Sequence, residues 1–315
     1  MSDHPVFSVI IVSYQVRDLL RRCLRALTAQ HDVDLEIRVV DNASSDGSAD
    51  MVAREFPAVH LMRSPVNLGF ARANNLALVE AGGDFLALIN PDTELPEEAL
   101  RVVTEVFARH PRAGAVGLAL REPGGTPQPA CHSFPGLMNL MIEMLGVRRL
   151  FLPLGIGTPT AAPPPAGGEG CVDWVAGACM VISKAAYHEV GGLNHELFMY
   201  GEEMDWSWRA RQRGLQTVYS DAVQVVHHGG GSGEGVRGEL FVFNIESRLA
   251  FLRRFRGRWR AEIAREIMVL GGAGRWVYWK LRARSAGRDT PLAARARLQL
   301  ERFQAVLQWR FRGNA

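Results

Sequence analysis

Two hydrophobic periods alternate along the first third of the chain. Residues 7–12 (FSVIIV) form an unbroken apolar run, as in a strand covered on both faces, whereas over 18–30 Leu19, Leu20, Cys23, Leu24 and Leu27 recur at helical spacing with arginines opposite. The alternation continues with strands over 36–40, 59–63 and 85–89 and helices over 50–56, 69–80 and 96–109, the last entered through Pro96. Regular β-then-α alternation predicts an α/β fold with a doubly wound, mostly parallel sheet flanked by helices. After a strand over 115–120 the pattern lapses, and proline, glycine and alanine crowd 153–170, so 122–170 reads as an insertion or lid with a helix near 138–145. Order returns over 172–183, with helices over 184–190 and 203–213 and strands over 216–219 and 223–226; beyond Glu239 the chain reads as helical. The expected segments are therefore 1–121, 122–170, 171–238 and 239–315.

Composition narrows the function classes. With 315 residues, 47% of them hydrophobic and 22% charged, disorder is excluded as the main state. The four cysteines, Cys23, Cys131, Cys171 and Cys179, include no Cys-x-x-Cys pair and are too sparse for a disulfide framework or a thiolate metal cage, which fits a reducing cytoplasmic setting. The early apolar run is too short for a signal or spanning helix, and 137–157 is broken by Glu143, Arg148 and Arg149, so no transmembrane helix is expected. The net charge of +3 conceals an asymmetry: from Arg248 onward there are 17 Arg or Lys against 4 Asp or Glu, which leaves the preceding residues net acidic. An acidic body with a basic tail points to an anionic surface as a partner of the tail.

The candidate chemistry lies where strands end, because open α/β sheets bind ligands beyond the carboxyl ends of their strands. Ser13-Tyr14-Gln15 follows the first strand in place of a glycine fingerprint, which disfavours a nicotinamide dehydrogenase; the Gly233, Gly235, Gly238 spacing lies late in a glycine-rich loop. Asp41 ends the second strand, where a carboxylate can accept a nucleobase N–H with Tyr14 stacking nearby, or can simply serve the turn made with Asn42, Ser44 and Asp46. Asn67-Leu68-Gly69-Phe70, running on to Asn75, is a glycine turn entering a helix, able to meet a phosphate or base or to be helix entry alone. Asn90-Pro91-Asp92 leaves the fourth strand and places a carboxylate at the sheet edge, suited to a divalent cation on a diphosphate. Glu202, Glu203 and Asp205 crowd a helix start among Tyr200, Trp206 and Trp208, where burial and mutual repulsion raise a carboxyl pKa toward that of a general base. His227-His228 at a strand end, before a glycine loop, offers an imidazole for metal ligation.

Taken in order these segments, with Val175-Ala176-Gly177-Ala178 and Val190-Gly191-Gly192-Leu193, resemble the inverting nucleotide-sugar glycosyltransferases of family 2, which have the GT-A fold. The resemblance covers 7–232 and, within the family, is greatest to rhamnosyltransferase-like members that extend lipid-linked or cell-envelope glycans. It implies a nucleotide-sugar-binding half (1–121), a lid (122–170), an acceptor-binding and catalytic half (171–238) and a basic helical extension (239–315). It implies Tyr14, Asp41, Asn67, Asn75 and Asn90 as donor contacts, Asp92 and His227 around Mg²⁺ or Mn²⁺ (with His228 second to His227), and Glu203 as base, with Glu202 and Asp205 as the other candidates. Two departures stand out: Asn90 replaces the first aspartate of an aspartate-x-aspartate signature, and Glu202-Glu203 replaces a glutamate-aspartate pair. The implied partners are a dTDP- or UDP-sugar, a lipid-linked or polysaccharide acceptor and a membrane's cytoplasmic face, reached peripherally through the basic helices, with self-association possible and no nucleic acid. A sugar nucleotidyltransferase, which would carry a basic glycine-rich loop after the first strand, and a membrane or nucleic-acid adaptor using the tail are the competing readings.

Overall fold

A computed structural model describes residues 4–147, 161–162, 164–229, 237–285 and 290–312. The chain forms two compact units, Met1–Phe134 with Pro163–Ser232, and Pro135–Ala162 with Gly233–Ala315. In chain order the elements are β1 (Val6–Ser13), α1 (Arg17–Thr28), β2 (Asp34–Asn42), α2 (Ser48–Glu55), β3 (His60–Ser64), α3 (Phe70–Val79), β4 (Phe85–Ile89), β5 (Thr93–Glu94), α4 (Ala99–Arg109), β6 (Ala113–Arg121), β7 (Pro127–Gln128) and β8 (Cys131–His132). Then follow α5 (Leu137–Leu145), β9 (Glu169–Val172), β10 (Trp174–Val175), β11 (Cys179–Ser183), α6 (Lys184–Val190), α7 (Glu202–Gln212), β12 (Gln216–His227), α8 (Arg237–Phe255), α9 (Arg258–Ser285) and α10 (Pro291–Arg312).

The first unit is built on a sheet of order β3-β2-β1-β4-β11-β6-β12-β5. Strands β1 to β4 run parallel, as do β6 and β12, while β11 is antiparallel between β4 and β6. Phe7 to Ser13 are buried throughout, which is why β1 reads as a continuous apolar run, and α1 turns Leu20, Cys23, Leu24 and Leu27 inward as its period requires. Strand order reverses at β1, with β2 and β3 on one side and β4 on the other, so the carboxyl ends of β1 and β4 open a crevice. Away from it Glu169 accepts from Arg109 Nη2 (2.8 Å) and Ser220 Oγ (2.9 Å) and lies 3.1 Å from His110 Nε2. The Arg109 hydrogen bonds outweigh desolvation and hold the Glu169 carboxyl down at about 2.

The structure corrects the reading of the sequence in three places. The strands expected over 216–219 and 223–226 are one strand, β12, whose register to β6 shifts between Ser220 and Gln224; the ladder resumes beyond the bulge because β6 continues alongside. The short strands β5, β7 and β8 were not anticipated, since two residues carry no period. The segment 122–170 is not one lid: β7 and β9 join the sheet through β6 and β12, β8 pairs with β10 in a separate two-stranded ladder, and α5 packs among the C-terminal helices, with Leu140 in a core of Ile245, Leu249, Leu252, Ala261, Ala264, Met268 and Val306. A nine-residue helix is not stable alone and needs its apolar face covered. Arg248 Nη1 meets Glu143 Oε1 at 2.9 Å inside this unit, and Arg275 donates to the Glu143 carbonyl at 2.9 Å. The expected loop glycines Gly233 and Gly235 lie outside the described residues. Among the described residues no helix is long and apolar enough to cross a membrane, and the four cysteines are free.

Candidate active site

At the crevice, Ser13 is paired with Asp41 across the parallel ladder of β1 and β2. Asp41 Oδ2 accepts from Ser44 N at 3.1 Å, so half of the carboxylate serves the turn. Its Oδ1 and the neighbouring Ser13 Oγ are buried and have no hydrogen-bond partner. Most of the turn is instead held by Asp46, which accepts from Arg17 N at 2.8 Å and from Ser48 Oγ at 2.6 Å. A buried carboxylate oxygen left unpaired costs free energy until a donor reaches it, which suits a ligand N–H rather than a structural cap. Tyr14 follows Ser13 in the chain and is exposed.

The asparagines behave differently from one another. Asn67 Oδ1 accepts from Asn42 Nδ2 and Gly69 N, both at 2.9 Å, and so braces the loop before α3. Asn75 spends its amide on the backbone of Leu193, accepting from Leu193 N at 2.9 Å and donating to Leu193 O at 2.8 Å. Both act on the frame of the site. Gly69, at φ 78°, lies against the Phe198 carbonyl, which also accepts from Phe70 N at 2.8 Å; a Cβ there would strike that backbone. The loop leading to α7 is thereby fastened to α3. Asn90 is half-buried, and its N–H donates to Ala178 O at 3.1 Å.

Asp92 is buried at the turn between β4 and β5, and the two-residue β5 pairs antiparallel with the end of β12, Thr93 opposite His227. That pairing brings His227 Nε2 to 3.4 Å from Asp92 Oδ1. Gln128 Nε2 donates to the His227 carbonyl at 3.0 Å, which turns Gln128 Oε1 toward His227 Nδ1 at 2.8 Å. An amide oxygen only accepts, so Nδ1 carries a proton and Nε2 is the ring nitrogen turned toward the carboxylate. A cation shared between Nε2 and Oδ1, a proton or a metal ion, satisfies both groups. The donor set, one carboxylate and one oriented imidazole, fits a divalent ion that would complete its coordination with oxygen ligands from outside the chain. Among the described residues no group of three or more His, Cys, Asp or Glu forms a fuller cage. His228 is committed elsewhere: its Nε2 lies 2.6 Å from Glu94 Oε1.

The acidic cluster opens α7 behind Gly201, which adopts φ 90° as its N-cap. Asp205 Oδ1 accepts from Arg209 Nε at 2.7 Å, and the same guanidinium donates to Val190 O (2.8 Å) and Gly192 O (2.7 Å). Asp205 thus anchors the helix through an ion pair. Glu203 is held against Gly177, where a Cβ would overlap its carboxylate. The next residue, Ala178, is the one whose carbonyl receives Asn90 N and Thr93 Oγ1, so Glu203 and Asp92 flank the same short stretch before β11. Burial pushes the Glu203 carboxyl up to about 7. Glu202 lies deeper, with both oxygens unpartnered; burial, then the charges of Glu203 and Asp205, raise its pKa well above the ordinary value. A group that loses its proton near neutral pH, beside a sheet edge carrying an unpaired acceptor and the Asp92–His227 pair, can take a proton from an attacking hydroxyl.

Asp41, Asp92, Glu203 and His227 therefore share one edge of the sheet. Sequence reasoning gave no role to Gln128 or Arg209 and quoted Gly177 only within a motif; Gln128 sits in the two-residue β7 and Gly177 in a loop, neither with a periodic signal, and Arg209 is marked only by its i+4 spacing from Asp205.

The glycosyl transferase family 2 profile matches residues 8–163. The chain belongs to that family. This glycosyltransferase is 27% identical over 271 residues to the N-acetylglucosaminyl-diphospho-decaprenol L-rhamnosyltransferase of Mycobacterium tuberculosis, covering 82% of this chain and 88% of the relative. It is 24% identical to the rhamnosyltransferase WbbL of Escherichia coli K12, covering 79% of this chain and 93% of the relative. The mannosyltransferase PcManGT of Pyrobaculum calidifontis, solved with GDP-Man and Mn2+, has the same fold, with a TM-score of 0.59 and 16% identity across 99% of this chain and 87% of that one.

Proposed function

We propose that this glycosyltransferase moves rhamnose from a nucleoside-diphosphate donor to a lipid-linked or cell-envelope glycan acceptor, with inversion, at the cytoplasmic face of a membrane. The names of its relatives support the sugar and the acceptor class. The observation that carries the chemistry is Glu203, buried against Gly177 on the edge that also bears Asp92 and His227.

In this reading Asp41 Oδ1 accepts the ring N–H of a pyrimidine base, with Tyr14 beside it. Asp92 and His227 would hold Mg²⁺ or Mn²⁺, which when bound would supply positive charge against the diphosphate. Glu203 accepts the proton of the acceptor hydroxyl as that oxygen bonds to the anomeric carbon. The bond from that carbon to the diphosphate oxygen breaks, and the electron pair leaves with the nucleoside diphosphate. Glu202, the deeper acid, stays protonated and keeps a second negative charge away from the incoming oxygen. Asp205, Arg209, Asn67 and Asn75 keep the two sides of the crevice in place.

The test is a donor panel of dTDP-rhamnose and several UDP-sugars, scored for nucleotide release with added Mg²⁺, Mn²⁺ or chelator and with or without a polyprenyl-diphosphate sugar. Release from dTDP-rhamnose that needs both metal and acceptor is expected. Preference for another donor, or equal release in chelator, would overturn the sugar or the metal assignment respectively.

A further inference from the structure

The helix α9 carries an outward row of apolar side chains that stays exposed among the described residues of its own unit. Trp259, Ile263, Leu270, Val277 and Leu281 recur at spacings of four and seven, which at 100° per residue places them within a strip about 40° wide. Each is exposed, from 44% at Ile263 to 66% at Leu270. The opposite side of the same helix supplies Ala261, Ala264, Met268 and Trp279 to the core, so the helix is apolar on two faces with only one of them buried. Met144 of α5 lies against Gly271, and α5 likewise exposes Met138, Met141 and Leu145.

Cations border the strip. The Arg260 guanidinium lies 4.7 Å from the Trp259 ring centre, the Lys280 ammonium 4.4 Å from that of Trp276, and Arg282 6.0 Å from that of Tyr278. Rings and long stems beneath terminal charges are the arrangement of an interfacial helix whose apolar row enters the acyl boundary while its cations meet headgroup phosphates. A second copy of the helix suits this face poorly. A two-row seam would take its companion row three residues on, at Glu266, Ala273 and Lys280, or four residues on, at Ile267, Gly274 and Leu281; the first row carries two charges and the second has a glycine at its centre. Pairing would also bring basic flanks together.

We infer that the outward face of α9, from Trp259 to Leu281, seats this protein on an anionic lipid surface. The inference rests on the reading that the acceptor is membrane-borne only for its purpose; lipid binding is measured without any sugar chemistry, so a wrong donor or acceptor leaves it standing.

The experiment is flotation of the full chain with vesicles of phosphatidylcholine containing roughly one-third phosphatidylglycerol, and with phosphatidylcholine alone. The wild type should float with the first and weakly with the second. Leu270→Asp/Val277→Asp/Leu281→Asp should raise the lipid needed for half-binding at least about tenfold while leaving circular dichroism unchanged, since all three side chains are already exposed. In a Cys171→Ser background, a polarity-sensitive dye at Val277→Cys should shift to the blue on anionic vesicles, and one at Arg297→Cys should not. Unchanged flotation of the triple variant overturns the proposal. So does a stable lipid-free dimer that this variant dissolves, because the strip is then a protein seam.

Discussion

The most exacting consequence of the active-site geometry is that the base should cost the fold stability whenever it is ready for catalysis. Glu203 is buried, and burial moves its carboxyl from the ordinary 4.5 to about 7. At about 1.4 kcal/mol per pH unit, that displacement means about 3 kcal/mol of resistance to ionisation in the folded state. The folded-state pKa lies above the unfolded one, so the group's contribution is fully favourable below pH 4.5 and is lost as pH rises through 7. Glu203→Gln removes that loss. At pH 8 the variant should unfold later than the wild type, by up to about 3 kcal/mol in urea melts or about 2–4 °C in Tm per kcal/mol, and the two should converge below pH 4.5. Catalysis should move the other way: wild-type kcat/KM with a soluble acceptor should rise about tenfold from pH 6 to a plateau above pH 7, whereas the variant falls about 10²- to 10⁴-fold with donor affinity kept. A wild-type profile with its half-point near pH 4.5, or a Gln variant less stable than the wild type at pH 8, would refute the assignment of a raised pKa to the working base.

Three other predictions follow from the same contacts. Asp41→Ala removes the unpaired buried acceptor and should weaken donor binding by about tenfold or more in titration calorimetry, with circular dichroism unchanged, because Asp46 holds most of the turn. Gln128→Leu frees the His227 ring to take the other tautomer and should raise the Mn²⁺ concentration for half-maximal activity about 10- to 100-fold while leaving maximal turnover largely restored at saturating metal. Glu169→Ala should destabilise by about 1–2 kcal/mol at pH 7, discounted for the half-exposed Arg109; the wild-type carboxyl is depressed to about 2, so the difference should persist above pH 5 and vanish as pH falls toward 2.

The sequence by itself determined the alternation of elements from β1 to α4, since strands covered on both faces and helices covered on one write different periods into their apolar residues. It also determined which polar groups end up at the crevice: Asp41, Asp92, Glu203 and His227 each sit where a strand stops or a helix begins, and an apolar run that halts at a polar residue marks that place. Tertiary structure alone decided what each polar group does. Asn75 reads as a ligand contact until Leu193, distant in the chain, takes both ends of its amide. Asp205 reads as a rival base until Arg209 pairs with it, and Asp41 separates from an ordinary turn residue only because one oxygen is left buried without a donor. The meeting of Asp92 with His227 depends on β5 and on Gln128 of β7, two strands of two residues each. Local periodicity reports which face of an element is buried. It does not report which distant backbone atom a side chain finds there, and that contact fixes protonation, tautomer and role.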